Sequence, residues 1–209
     1  MKAIKKCAVI FLLCWFSAAY AQPASVVSGY YITSSFDTIP AQIQLPQYTL
    51  SKKVMLSKLT DKVVIIDSIN KSTVFKVHDI NGFGFSYNEN SYHFLSKNFG
   101  RENALSASTH RFYQAIILGP KSNLFHAATN VDGNDRTIGM IYFVEIPNGP
   151  STAIYLFART KPEFIKNLLK RFFKDYGGVH TIIDNKFEGT IFETWPNDIL
   201  EIVQRVNEL

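Results

Sequence analysis

The fold is decided by residues 62–95, which read KVVIIDSINKSTVFKVHDINGFGFSYNENSYHFL. Two β-prone runs, Lys62–Asp67 and Ser72–Val77, flank the short polar segment 68–71, which is the pattern of a hairpin. A second pair of runs, 83–87 and 91–96, flanks Asn88-Glu89-Asn90 in the same way. Hairpins that follow one another along a chain predict an antiparallel sheet and argue against βαβ units.

The same pattern continues on both sides of this stretch. Upstream, the run Thr38–Leu45 alternates apolar and polar residues, which predicts a half-buried strand, and Pro40 places part of it at an edge or a bulge. Downstream, runs 111–118 and 123–128 flank a Gly-Pro turn, and runs 137–146 and 152–158 flank Pro147–Pro150. We therefore expect about nine or ten strands in an antiparallel meander or a barrel-like body spanning residues 22–159.

The apolar spacing changes from two residues to about four at Thr160. Thr160 and Glu163 have the spacing of a capping box, and Pro162 suits the first turn of a helix. Two apolar rows follow at helical spacing and are expected to be buried, up to a stop at Gly177-Gly178: Phe164, Leu168, Phe172 and Tyr176, then Ile165, Leu169 and Phe173. This pattern predicts an amphipathic helix.

Two further helices are expected before the chain ends. A short one covers Val179–Asp184, and the last begins near Pro196 or Asn197 and buries four apolar residues at helical spacing, Ile199, Ile202, Val203 and Val206. Residues 160–209 thus form a helical segment that packs on the β body. The predicted fold class is α+β, with C-terminal amphipathic helices on an antiparallel, strand-rich body.

Residues 1–21 have the three parts of a secretory signal peptide. Lys2, Lys5 and Lys6 precede an apolar run over residues 7–18, and Ala19-Tyr20-Ala21 follows it, so cleavage is expected before Gln22. A membrane anchor would need about 20 apolar residues. Lipid attachment at Cys14 is disfavoured because Leu13 precedes it. We expect an exported protein of the periplasm or outer cell surface, with no transmembrane segment after signal removal.

Signal removal also changes the charge and the cysteine content. Three of the 22 basic residues lie in this segment, which leaves 19 against 17 acidic residues, a net charge of +2. So small a charge gives no support for a nucleic-acid partner. Cys7 and Cys14 leave with the segment, so the mature chain has no disulfide and no thiolate ligand.

No motif assigns a catalytic residue, a cofactor or a metal. The five histidines lack the spacing of a metal site on a helix, and His78, His93, His110 and His126 are expected on different faces, with no pair sharing a pocket with a carboxylate. Asp132–Asp135 lacks the pattern of a calcium loop. Gly82-Phe83-Gly84 is interpreted as a strand in which a bulge or close packing needs small residues. No Gly-x-Ser-x-Gly elbow is present in the sequence.

The first predicted helix is rich in cations, which it carries at Lys161, Lys166, Lys170, Arg171 and Lys174. Such a helix can lie on an anionic membrane. We favour a solvated outer face, because the apolar face is what a helix packed on a sheet requires.

Short segments resemble uncharacterised secreted proteins of Bacteroidota. The opening Gly29–Thr33 followed by Asp37-Thr38-Ile39 is similar to their first strand, turn and strand. Asp79–Phe85 resembles their Asp-Ile-x-Gly-Phe segment, and the ending resembles theirs in Phe172-Phe173-Lys174 and in 198–207. The resemblance implies a secreted protein of this architecture and offers no catalytic residue.

The leading functional expectation is a non-catalytic binding or structural module whose partner is an unidentified ligand or envelope component. The alternative is a hydrolase acting on envelope or glycan material. Clustered carboxylates or histidines in one pocket favour the enzyme, whereas an aromatic groove favours binding. The sequence leaves the oligomeric state open.

Overall fold

A computed structural model of the chain describes residues 25–47, 54–99, 110–127 and 139–209. The predicted signal peptide and the Asp132–Asp135 loop lie outside these ranges. Ten strands form one sheet: β1 (Ser25–Thr33), β2 (Thr38–Leu45), β3 (Lys62–Ile66), β4 (Ser72–Lys76), β5 (Ile80–Tyr87), β6 (Asn90–Asn98), β7 (His110–Leu118), β8 (Asn123–Ala127), β9 (Gly139–Glu145) and β10 (Ser151–Phe157).

Neighbouring strands are antiparallel throughout, in the order β10-β9-β8-β7-β6-β5-β1-β2-β3-β4. Three helices follow: α1 (Pro162–Phe172), α2 (His180–Asp184) and α3 (Trp195–Glu208). The predicted α+β class and the predicted hairpins are confirmed. The β5–β6 hairpin is predictable from its turn residues, because Asn88 and Glu89 both adopt the positive φ of a two-residue hairpin turn.

One half of the sheet, which we call the curled region, consists of β1–β6 and the start of β7. Tyr31 on β1 stacks on Phe75 of β4 with ring centroids 5.4 Å apart, although β4 is three strands away from β1. Three strand spacings measure about 14 Å in a flat sheet, so the sheet must bend strongly here. The core inside the bend comprises Ile43, Leu45, Leu59, Val63, Ile65, Val77, Ile80, Phe83, Phe85, Phe94 and Phe112.

The curl brings strand ends together that are remote in the sheet order. The Phe112 N–H of β7 donates a hydrogen bond to the Thr60 carbonyl, just before β3, at 2.7 Å. Four strands separate β3 from β7 in the sheet order. This contact therefore marks a seam, at which the β3–β4 end of the sheet docks onto the β6–β7 end.

The other half, the helix-covered region, consists of the rest of β7, then β8–β10 and the three helices. Its sheet residues Leu124, Val144, Ile154 and Leu156 are fully buried against helical side chains. The predicted burial of the α3 row is confirmed, because its four apolar residues are all inaccessible: Ile199, Ile202, Val203 and Val206. On the opposite face of the sheet a smaller cluster holds Tyr113, Phe125, Ala127, Ile141 and Phe143.

Two sequence predictions at α1 are wrong in detail. Thr160 does not cap the helix, because its hydroxyl accepts the Phe157 N–H and donates to the Tyr155 carbonyl at the end of β10. Lys161 takes the cap position without a side-chain hydrogen bond. Of the two apolar rows, the one containing Leu169 is fully buried. In the other row Leu168, Phe172 and Tyr176 are partly buried against the same core, and Phe164 is 57% exposed.

Candidate functional site

A single row of side chains crosses the sheet and joins the two cores. Directly paired residues on neighbouring strands project from the same face. From β1 to β10 the pairing runs Tyr31, Phe83, Phe94, Gln114, His126, Tyr142, Ile154. Phe83 and Phe94 belong to the core of the curled region, and Ile154 belongs to the helix-covered core. Between them stand three polar side chains, and we call Gln114, His126 and Tyr142 the polar row.

His126 is the unusual member of the polar row. Its Nε2 atom is buried and has no hydrogen-bond partner among the described residues. Its ring lies 5.0 Å from the Tyr142 ring, and the Tyr142 hydroxyl donates to the Met140 sulfur at 3.8 Å. Burial lowers the pKa of His126 to about 4 and raises the pKa of Tyr142. His126 is therefore a neutral imidazole at pH 7.

A buried polar atom without a partner is costly. Leaving such a donor or acceptor unsatisfied costs about 1–3 kcal/mol, and native proteins hold few such atoms. Ser122 Oγ and Trp195 Nε1 are further examples among the described residues. His126 Nε2 either donates or accepts a hydrogen bond when the ring is neutral, according to the tautomer. It can therefore pair with a carbonyl or a hydroxyl that reaches it.

A second cluster lies at the seam of the curled region. The rings of His78, in the β4–β5 turn, and His110, at the start of β7, are 4.3 Å apart and meet edge to face. Ser96 on β6 lies beside them, with its hydroxyl 2.7 Å from His110 Nε2. The expectation that these histidines lie apart is thus wrong for His78 and His110. It is also wrong for His110 and His126, which the strand register places on the same face.

The hydrogen-bond directions in this cluster are fixed by the backbone. Ser96 Oγ donates its proton to the Val77 carbonyl at 2.5 Å, because a carbonyl oxygen cannot donate. His110 Nε2 must then carry a proton and donate to Ser96 Oγ. A catalytic serine needs the reverse arrangement, in which the imidazole accepts the hydroxyl proton. The Ser96–His110 pair is therefore a structural clamp across the seam.

The remaining histidines have ordinary local partners. His93 Nδ1 forms a hydrogen bond with the Tyr30 hydroxyl at 2.7 Å on the outer face of the sheet. His180 Nε2 donates to the Phe173 carbonyl at 3.2 Å and helps to join α1 to α2. Gly84 confirms the interpretation of 82–84 as closely packed, because an added Cβ would lie 2.6 Å from the Tyr30 ring.

The cationic side of α1 is partly engaged within the protein. Asp184 of α2 forms an ion pair with Lys170, and its carbonyl accepts a hydrogen bond from Lys166 at 2.7 Å. Arg171 and Lys170, with Phe164 and Asn167, line an open depression of about 460 Å³. The two engaged lysines agree with the interpretation of this side as a solvated face.

In the part of the chain that the structure describes, no three His, Cys, Asp or Glu side chains are grouped as metal ligands would be. No helix within the same ranges combines the length and the apolar character that a membrane crossing requires.

Comparisons of the chain with protein-family models, curated proteins and solved structures give no match. The resemblance to secreted Bacteroidota proteins therefore stays a prediction.

Sequence reasoning missed both clusters. The polar row depends on the register of β6 to β9, and the His78–His110 contact depends on how the sheet curls. Neither is encoded in local spacing. The one available signal was a histidine in an otherwise apolar strand, because β8 reads NLFHA and buries Leu124, Phe125 and Ala127 around His126.

Proposed function

We propose that the mature chain is an exported binding module of the periplasm or outer cell surface, and that its ligand makes a hydrogen bond to His126. The observation that carries this proposal is the buried, unpartnered Nε2 atom in the polar row between two apolar cores. The sequence of residues 1–21 supports export. A ligand that satisfies Nε2 removes the cost of burying that atom.

The chemistry of the polar row favours an uncharged ligand group. Because burial keeps the pKa of His126 at about 4, the ring offers no positive charge to a carboxylate or phosphate at pH 7. A hydroxyl, carbonyl or amide matches a neutral imidazole. The flanking residues Phe94 and Ile154 are inaccessible and apolar. We infer an envelope component that presents an uncharged polar group to His126.

The hydrolase alternative has one observation in its favour, the 2.7 Å hydrogen bond between Ser96 and His110. The proton on His110 Nε2 points toward the serine and not away from it, which opposes nucleophilic activation. Binding at the polar row therefore remains our preferred function.

The binding test uses octyl glucoside, an uncharged amphiphile with hydroxyl groups, below its micelle concentration. We expect a saturable change in the imidazole NMR signals of His126, and about the same affinity in His93→Phe, which alters an outer-face histidine. His126→Phe should lose the binding, and octyl sulfate should bind at least tenfold more weakly. Equal affinity of wild type and His126→Phe would place the ligand elsewhere, and the absence of saturation would exclude this ligand class.

Export is tested separately. Expression of the full chain in a Gram-negative host should give a periplasmic protein whose N-terminal sequence begins at Gln22. An intact N-terminus in the cytoplasm, or a lipid on Cys14, would contradict the proposed location without bearing on the polar row.

A further inference from the structure

Two hydrogen bonds and a ring contact cross the seam of the curled region, and they lie close together. Residues 60–61 and 77–78 lie at neighbouring ends of β3 and β4, because Lys62 pairs with Lys76. Across the seam, the Thr60 carbonyl accepts from the Phe112 N–H at 2.7 Å, and the Val77 carbonyl accepts from Ser96 Oγ at 2.5 Å. The two imidazoles of His78 and His110 meet directly beside these hydrogen bonds.

We propose that the His78–His110 contact keeps this seam closed at neutral pH and releases it in acid. Two neutral imidazoles pack edge to face as other aromatic rings do. Two imidazolium ions at the same separation repel each other. His78 is exposed and His110 is half-buried, so both rings can exchange protons with solvent. Histidine ordinarily changes charge between pH 5 and 8.

Two carboxylates, Asp61 and Asp79, lie near the pair among the described residues. The charged residues on the strand ends that meet here are Asp61, Lys62, Lys76, Asp79, Lys97 and Arg111. Asp79 already accepts the Lys76 backbone N–H at 2.7 Å, and Asp61 lies 3.9 Å from Arg111. Lys97 is paired with Glu145. Asp79 thus already accepts a backbone N–H, and Asp61 lies beside the Arg111 guanidinium, before either histidine takes a proton.

The geometry argues against a metal as the role of this pair. Imidazole lone pairs lie in the ring plane. The rings meet edge to face at an interplanar angle of 83°, and among the described residues no third His, Cys, Asp or Glu joins them in a group that could hold a metal ion. Burial and the neighbouring His78 lower the pKa of His110, which agrees with a pair that resists a second proton.

Opening of the seam would loosen the cover over the aromatic core. Phe112 provides one of the seam hydrogen bonds and is itself inaccessible, and its ring lies 5.1 Å from that of Phe83. Acid would therefore expose part of the core of the curled region while the helix-covered region stays closed. This effect is independent of whether His126 binds a ligand.

The test is amide hydrogen exchange by NMR at pH 7.5 and pH 5.0, corrected for the intrinsic pH dependence. The reporter is the Phe112 N–H, and the reference is the Phe173 N–H, which donates to Leu169 in the helix-covered region. Repulsion across about 4 Å in water predicts that the corrected Phe112 rate rises about fivefold at pH 5.0 relative to the reference.

Three variants decide the outcome. His78→Gln should abolish the acid response, and His78→Lys, which carries a permanent charge, should keep the response at pH 5.0, where His110 takes a proton, with a rate close to that of wild type at pH 7.5. His93→Gln, an exposed histidine on the outer face, should behave as wild type. An undiminished acid response in His78→Gln, or the absence of an acid response in His78→Lys, would overturn the proposal.

Discussion

The curled region and the helix-covered region bury the same face of one sheet by different means. In the curled region the sheet folds over itself, and its core is built on aromatic rings such as Phe83 and Phe94, whose centroids are 4.9 Å apart. In the helix-covered region three helices close in sequence supply most of the core. The difference places polar side chains at the junction, because the Gln114–His126–Tyr142 row lies between two separately built cores.

The largest expected effect is on the curled region. Phe112→Ala removes a fully buried ring that also lies at the seam, so the free energy of unfolding should fall by about 3–5 kcal/mol. Urea denaturation followed by circular dichroism measures it. Phe36→Ala is the control, because that side chain is 78% exposed, and its effect should stay below about 0.5 kcal/mol. Similar small losses in both variants would mean that the curl is loosely packed.

The matching experiment in the helix-covered region compares alanine substitutions at two neighbouring leucines of α1. Leu169→Ala should lower the free energy of unfolding by about 2–5 kcal/mol, because Leu169 is inaccessible. Leu168 is only partly buried, so Leu168→Ala should cost less than half as much. The same denaturation experiment measures both. A larger loss for Leu168→Ala would show that the other row of α1 faces the sheet.

Acid should lower the stability of the fold through His126, which lies at the junction of the two regions. Because the pKa of His126 falls from about 6.5 in the unfolded chain to about 4 in the folded chain, the unfolded chain binds more protons between these values. Stability is then complete above pH 6.5 and is lost as the pH falls toward 4, by about 3 kcal/mol in total. Urea titrations at several pH values measure the slope.

The control for this pH dependence of unfolding is a variant that has no titrating group at position 126. His126→Phe should remove most of the acid dependence of unfolding, whereas His93→Phe should keep it. A slope that survives in His126→Phe would assign the acid sensitivity to other groups, including the His78–His110 pair, whose effect is read separately at the Phe112 amide.

The sequence predicts those features whose causes are local. The β5–β6 hairpin follows from its turn, and the burial of Ile199 and Ile202 follows from helical spacing, because each depends on residues a few positions apart. The polar row and the seam depend on pairing between strands up to about 60 residues apart, which local spacing does not encode. At Thr160 the capping rule fails, because the hydroxyl forms hydrogen bonds with backbone groups at the end of β10 and so does not cap the helix.

The smallest expected effect concerns the link between α3 and the β7–β8 turn. The Asn207 amide accepts the N–H groups of Lys121 and Ser122, both at 2.9 Å, and donates to the carbonyls of Ser122 and Val203. The turn approaches so closely that a Cβ on Gly119 would lie 2.3 Å from this amide. Only a side chain that both donates and accepts satisfies all four groups.

Asn207→Asp keeps the size and the two acceptor contacts but replaces the donor with an oxygen that faces two carbonyls. We expect the free energy of unfolding at pH 7 to fall by about 1–3 kcal/mol, with amide exchange accelerated at Lys121 and Ser122. Asn167→Asp on the exposed side of α1 is the matched control and should change stability by less than about 0.5 kcal/mol. Equal effects of the two substitutions would show that the Asn207 hydrogen bonds add no stability. The apolar row of α3 would then hold the helix to the sheet by itself, as the aromatic rings do in the core of the curled region.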